Sequence, residues 1–240
     1  MFCARCHREY DAGRFCPYDG AELHDAPRLE LFRSRPSRHR GAVLGARYRV
    51  HGFLGKGAMA KVYLAEDLRT SRAVAIKVLD PSHVRAQRTR ERFLREAGAA
   101  TMIGHPDIVR VLDAGERPDG SPYLVMEYLF GESLGDWLRR ERTMPFDLAV
   151  PVLRHAASGL AAAHRAGIIH RDVKPDNIIV LNAIVASPNA AAAAAGRTDR
   201  VKVVDFGIAT MQAEGDTGAA GTPHYMAPEQ VLGQPADARS

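Results

Sequence analysis

The sequence predicts an α+β chain in which strands come first and helices follow, and three observations carry that prediction. Strand-like runs crowd the earlier part, at Tyr48 to Leu54, Val62 to Ala65, Val74 to Lys77 and Tyr123 to Leu129. A glycine-rich turn, Gly55-Lys56-Gly57-Ala58-Met59-Ala60, joins the first two, and the strand that follows it argues against a dinucleotide-binding unit, which needs a helix there. Later, Leu148 to Ala166 is strongly helical, with Leu153, Ala156, Leu160, Ala163 and His164 expected to form its packing stripe.

Composition narrows the classes. At 240 residues and 46% hydrophobic content the chain can bury a core, and 25% charged residues is ordinary for a folded protein. Much of the net charge of +5 sits between Arg28 and Arg49, so it reads as a solvated basic linker and no specific nucleic-acid partner is expected. The longest candidate for a membrane span, Ile178 to Ala195, is interrupted by Asn182, Ser187, Pro188 and Asn189. No Lys/Arg-led apolar leader opens the chain. A cytoplasmic protein is expected.

All three cysteines fall within the first sixteen residues, a distribution that suits a metal site better than a disulfide framework. Cys3-x2-Cys6 and Cys16-Pro17-Tyr18-Asp19-Gly20 read as two knuckles, with Asp19 where a fourth cysteine would stand. Thiolates at that spacing converge on one tetrahedral ion, and a carboxylate oxygen is an acceptable fourth ligand. His7 and His24 are alternatives to Asp19. Residues 1–24 are too few to bury a core of their own, so bound Zn²⁺ would supply the stabilisation. The segment resembles the short zinc-ribbon heads of some bacterial proteins. A linker follows over 25–45, with Pro27, Pro36 and no periodic apolar face.

Ile169-His170-Arg171-Asp172-Val173-Lys174-Pro175-Asp176-Asn177 sets a carboxylate, a lysine and an amide at fixed offsets. The run resembles the catalytic loop of the eukaryotic-like (Hanks-type) serine/threonine protein kinases of bacteria, with Val173 in the slot where the family pattern has leucine. Its other parts follow in family order: the glycine-rich turn with Ala60 in place of a third glycine, Val74-Ala75-Ile76-Lys77, Asp205-Phe206-Gly207 and Ala227-Pro228-Glu229. The resemblance implies a bilobal kinase-like fold over 46–240. An antiparallel β lobe would span 46–129 and a mainly helical lobe 130–240.

It also implies roles. Asp172 would accept or orient the proton of a substrate hydroxyl, and Lys174 would neutralise charge on the transferring γ-phosphoryl group. Asn177 and Asp205 would hold Mg²⁺. Lys77 would bind the α- and β-phosphates of ATP and pair with Glu96, on a helix expected over Thr89 to Met102 with Phe93, Leu94, Ala97 and Ala100 on its apolar side. Gly55 and Gly57 would admit the phosphates. Leu54, Val62, Ala75 and Ile179 would line a flat purine slot, with Met126 at its back and backbone groups of Glu127 and Leu129 on the adenine edge. Lysine two residues after Asp172 marks serine/threonine specificity, so protein substrates bearing those hydroxyls are implied.

Gly131-Glu132-Ser133-Leu134 and the run to Arg140 resemble the helix after the hinge, with Trp137 in the core, and Gly167 caps the next helix. Asn182 to Arg200, with its six-alanine tract, reads as an inserted surface loop between two strands. Thr222 belongs to the expected substrate platform. A phosphate on Thr217, or less favourably Thr210, would pair with Arg171 and order the activation segment. Beyond Glu229 the family continues into further helices, and the chain ends at Ser240. The helices over 131–140 and 148–166 are therefore expected to expose apolar faces, and Glu229 to lack its arginine partner. Two readings result: a protein serine/threonine kinase, or an impaired kinase fragment that binds nucleotide or partners.

Overall fold

The computed structural model describes residues 2–3, 23–24, 41–57, 59–83, 90–91, 93–94, 98, 101–181, 201–206, 210–211 and 222–240. The chain divides into two compact units, Met1–Gln87 with Leu112–Phe130, and Arg88–Val111 with Gly131–Ser240. At the N-terminus β1 (Phe2–Cys3) pairs antiparallel with β2 (Leu23–His24). Cys6, Cys16 and Asp19 lie outside the described residues.

The first unit is built on a six-stranded sheet in the order β3-β4-β5-β6-β8-β7. Its strands are β3 (Val43–Leu44), β4 (Tyr48–Lys56), β5 (Ala60–Asp67), β6 (Arg72–Leu79), β7 (Val111–Glu116) and β8 (Pro122–Glu127). Side chains alternate between sheet faces. Tyr48, Val50, Tyr63, Ala65, Val74, Ile76, Val78, Tyr123 and Val125 accordingly pack into one core cluster. The start of the sheet is tied by charge. Arg47 Nε and Nη2 donate to the two carboxylate oxygens of Asp67, each at 2.8 Å, and the Tyr48 hydroxyl donates to Asp113 at 2.6 Å.

The second unit has a three-stranded sheet, β12-β11-β9, formed by β9 (Gly131–Ser133), β11 (Ile178–Leu181) and β12 (Val201–Val203). Val180 faces Val201, so the strands flanking the predicted insertion are neighbours; residues 182–200 themselves lie outside the described residues. A two-stranded ladder joins β10 (Ile168–Ile169) to β13 (Thr210–Met211). Helix α1 (Leu134–Glu141) starts at Ser133, whose hydroxyl oxygen accepts from the Asp136 amide at 2.9 Å. The predicted helix there is therefore shorter, with Gly131–Ser133 spent on a strand.

Helix α2 (Phe146–Arg165) begins two residues before the expected Leu148, and Gly167 follows its end at φ 73°, a conformation that favours glycine. Its packing stripe bears out Ala156, Ala163 and the half-buried Leu160 of the sequence expectation and corrects Leu153. Val152, Ala156, Gly159, Ala162 and Ala163 are buried, whereas Leu153 is 59% exposed. The i, i+4, i+7 spacing that begins at Val152 turns Leu153 to the other side, where it joins Phe146, 84% exposed, and Val150. The expected exposed apolar face thus exists on α2, while Leu134 and Trp137 of α1 are buried. Before this, helical residues occur between 90 and 103; Phe93 is buried there but Leu94 is exposed, so Leu94 does not share the predicted apolar side. Glu96, Ala97 and Ala100 lie outside the described residues.

The segment from His105 to Val109 packs between α2 and β12. Asp107 is buried; its carboxylate bonds His155 Nδ1 at 2.9 Å, and its carbonyl accepts from the Val203 amide at 2.8 Å. A Cβ at position 159 would lie 3.1 Å from that carbonyl oxygen, so any side chain there would crowd this packing. Among the described residues, no helix is long and apolar enough to cross a membrane.

Candidate active site

The first unit gathers four of the predicted nucleotide contacts on one sheet face. Lys77 pairs in register with Val62 on β5 and Leu124 on β8, and Ala75 with Leu64 and Met126. Directly paired residues share a face, and every second residue along a strand does too. Val62, Ala75, Lys77 and Met126 therefore project opposite to the Tyr63 and Ile76 core. Lys77 is only 7% exposed. Such burial is unusual for a lysine without an anion or acidic partner nearby. Between Phe53, opposite Tyr63, and Gly55, opposite Val62, the register shifts by one residue, so Leu54 is the extra residue of a bulge. Beyond it, the Gly57 amide donates to the Ala60 carbonyl at 2.9 Å, closing the tip of the turn. A Cβ at Gly55 would meet no atom within 4 Å, so the missing side chain leaves open space rather than relieving a contact. Glu127 ends β8 opposite Val74, and Leu129 follows in the next segment.

In the second unit the catalytic-loop motif leaves β10 and closes in a 3-10 turn, Pro175–Asn177, before β11. The turn brings Asn177 back on Asp172: its Nδ2 donates to the Asp172 carbonyl at 2.9 Å and to Oδ2 at 3.2 Å. Lys174 Nζ donates to the same Oδ2 at 2.6 Å and to Thr222 Oγ1 at 2.5 Å. The Thr222 amide and hydroxyl both donate to Asp172 Oδ1, at 2.9 and 2.8 Å. Each oxygen of the carboxylate is thus held by two donors. Carboxylate, ammonium and hydroxyl form one closed network, in which charge-assisted bonds are the strong members.

His170 fixes the base of this loop. It is almost wholly buried, and its ring packs on Phe206 with centroids 4.5 Å apart. The Asp172 amide donates to His170 Nδ1 at 3.2 Å, so Nδ1 is unprotonated and Nε2 carries the proton, donating to the Val204 carbonyl at 3.0 Å. Burial pushes the imidazole below its ordinary value, consistent with a neutral ring that makes both bonds. Val204 N in turn donates to the Asn177 carbonyl at 3.0 Å. One short chain of bonds therefore links Asp172, Asn177 and the residue before Asp205. Arg171 and Asp205 both adopt positive φ, 65° and 66°, values that cost a non-glycine residue free energy and persist only where surroundings enforce them.

Sequence reasoning placed Thr222 on a substrate platform and missed its direct seat on Asp172. It also passed over His170 as a ligand of the loop, and Gln230. For His170 the available signal was its place directly after the buried apolar strand Ile168–Ile169. Gln230, next to the Ala227-Pro228-Glu229 motif and third residue of the short helix α3 (Pro228–Val231), fits a capping pattern. Ile179 sits on β11 opposite Lys202 and Ser133. Ala58, Gly207 and Thr217 lie outside the described residues, as does Glu96. Among the described residues, no cluster of three or more His, Cys, Asp or Glu side chains is arranged to hold a metal ion.

The family model described as "Protein kinase domain" matches residues 48–240. The serine/threonine-protein kinase pkn3 of Myxococcus xanthus is 39% identical over 208 residues, covering 83% of this chain and 36% of that protein. The serine/threonine-protein kinase PknB of Mycobacterium tuberculosis is 41% identical over 206 residues, covering 82% and 30%. The chain thus spans about a third of the length of the curated relatives it matches. The crystal structure of the Mycobacterium tuberculosis PknI kinase domain superposes with a TM-score of 0.61 at 29% identity, covering 85% of this chain and 72% of that one. Together with the network around Asp172, these matches place the chain in a family: it belongs to the protein kinases, by its protein kinase domain.

Proposed function

We propose that the chain is the catalytic part of a bacterial protein serine/threonine kinase that transfers the γ-phosphoryl group of ATP to protein hydroxyls. The observation that carries this reading is the carboxylate of Asp172 held by Lys174, Asn177 and Thr222. Transfer of a phosphoryl group asks the protein chiefly for positioning and charge compensation. Asp172 orients the substrate hydroxyl and takes its proton as the oxygen bonds to the γ-phosphorus and the bond to the bridging oxygen of ADP breaks. Lys174, already donating to Asp172, meets the charge that develops on the phosphoryl oxygens.

Asn177 and Asp205 fit Mg²⁺ by donor type. The Asn177 nitrogen is engaged with Asp172, which leaves its amide oxygen as a hard donor, and Asp205 supplies carboxylate oxygens. Bound there, Mg²⁺ would neutralise phosphate charge. Lys77, buried on the face shared by Val62, Ala75 and Met126, is proposed to hold phosphate oxygens, with Glu96 as its partner. Leu54, Gly55, Gly57, Glu127, Leu129 and Ile179 complete the proposed nucleotide contacts. Arg171 and Thr217 are proposed as a phosphate-dependent pair that orders the activation segment.

For the N-terminal 24 residues we propose a zinc site of Cys3, Cys6, Cys16 and Asp19, supported by the pairing of Phe2–Cys3 with Leu23–His24, which brings the two ends of the segment together. Bound zinc measured in the purified chain should approach one equivalent and disappear in a Cys3→Ser/Cys16→Ser variant; equal zinc in both would dismiss the site. The kinase reading is tested by Mg²⁺-dependent appearance of phosphoserine or phosphothreonine in a protein substrate. The chain should produce it and Asp172→Asn should not; phosphotyrosine alone, or equal product from both, contradicts the reading.

A further inference from the structure

The peptide unit between Arg171 and Asp172 is gripped at both ends. Its N–H, on Asp172, donates to His170 Nδ1 at 3.2 Å. Its carbonyl, on Arg171, accepts from Gln230 Nε2 at 2.9 Å. The same Gln230 side chain accepts through Oε1 from the Ala227 amide at 3.0 Å. Gln230 is 6% exposed and stands 59 residues from Arg171 in sequence. Arg171 itself is held at φ 65°, where a residue with a Cβ stays only if something pins it.

We propose that Gln230 is a positioning residue for Asp172: its amide fixes the plane of the peptide that carries the catalytic carboxylate and couples it to the end of the activation segment. The proposal rests on the kinase reading above and deepens it. The chemistry of the two partners selects glutamine. Arg171 offers only an acceptor and Ala227 only a donor, so one side chain of this length must donate and accept at once. A carboxylate would satisfy Ala227 and repel the Arg171 carbonyl, and an apolar isostere would satisfy neither. A buried carboxyl group, driven toward its neutral form by burial, would recover the donor on protonation.

That selection supplies the test. Gln230→Met should lower kcat by about 10- to 100-fold while KM for ATP stays within about threefold, the expected signature of a misplaced base and an intact nucleotide site. Gln230→Glu should be impaired at pH 8, and its rate relative to the unaltered chain should rise as the pH is lowered to 6. A kcat for Gln230→Met within about threefold of the unaltered chain, or a Gln230→Glu ratio that is flat with pH, overturns the proposal. If the unaltered chain transfers no more phosphate than Asp172→Asn, the kinase reading falls. Gln230 is then decided by hydrogen exchange: in Gln230→Met the Ala227 amide should exchange at least about tenfold faster while the Val203 amide, bonded to Asp107, is unchanged. Unaltered Ala227 protection would count against the bond itself.

Discussion

The Thr222 hydroxyl donates to Asp172 Oδ1 at 2.8 Å while accepting from Lys174 at 2.5 Å, so one side chain bridges the carboxylate and the ammonium across 48 to 50 residues of sequence. Removing that bridge leaves both charged groups with one fewer partner in a partly buried place. Thr222→Ala is expected to lower kcat by about 10- to 100-fold, and Thr222→Ser, which keeps the hydroxyl, to retain most of the rate. Steady-state kinetics of the two variants side by side check this. Equal loss in both would point to the methyl group instead.

The neutral imidazole of His170 is expected to resist protonation. Burial lowers its folded-state value below the ordinary 6.5, so the unfolded chain binds the proton more readily. Stability from this site is therefore complete above pH 6.5 and declines as the pH falls below it. A proton on Nδ1 would also remove the acceptor for the Asp172 amide. NMR titration of the ring should give a midpoint below the ordinary 6.5; a midpoint at the ordinary value would contradict its placement.

In the first unit, the Arg47 guanidinium holds the Asp67 carboxyl well below the usual carboxylate range. A depressed carboxylate contributes stability that is present above its unfolded value and lost as the pH drops toward the folded one. Asp67→Asn should consequently unfold at lower temperature at pH 7. The gap from the unaltered chain should narrow as the pH is lowered through 4, as followed by circular dichroism. A gap independent of pH would mean that the shape of the side chain, and not its charge, matters.

How much of this was legible in the sequence varies with the range of the interaction. The strands around Gly55 and Lys77 were readable because alternation is a local property, and their pairing then puts Val62, Ala75 and Met126 on the lysine's face. The seat of Thr222 on Asp172 and the reach of Gln230 to Arg171 were not, since nothing in a local window encodes contacts 50 and 59 residues apart. The α2 stripe was misread by one residue at Leu153. Val152 and Leu153 are both apolar, so hydrophobicity did not choose between them; the buried face is the one that carries Gly159 against the Asp107 carbonyl.

The exposed side of α2 gives a prediction with little cost to the fold. Phe146, Val150 and Leu153 lie on one side at i, i+4 and i+7, all exposed. Leu153→Glu should change stability by no more than about 0.5 kcal/mol. It should also weaken concentration-dependent self-association, because the apolar patch is interrupted. Thermal melts together with sedimentation velocity would separate the two effects; a large drop in melting temperature would show that Leu153 is part of the core after all.

Asp172, seated among Lys174, Asn177 and Thr222, is proposed as the group that orients and deprotonates an attacking hydroxyl. The most direct measurement is the single-turnover rate of phosphoryl transfer from ATP to a serine-bearing protein substrate, for the unaltered chain and for Asp172→Asn, with ATP affinity measured in parallel. The rate should fall at least about 100-fold in Asp172→Asn while ATP binds within about threefold of its original affinity. Transfer at an equal rate by both proteins would contradict it.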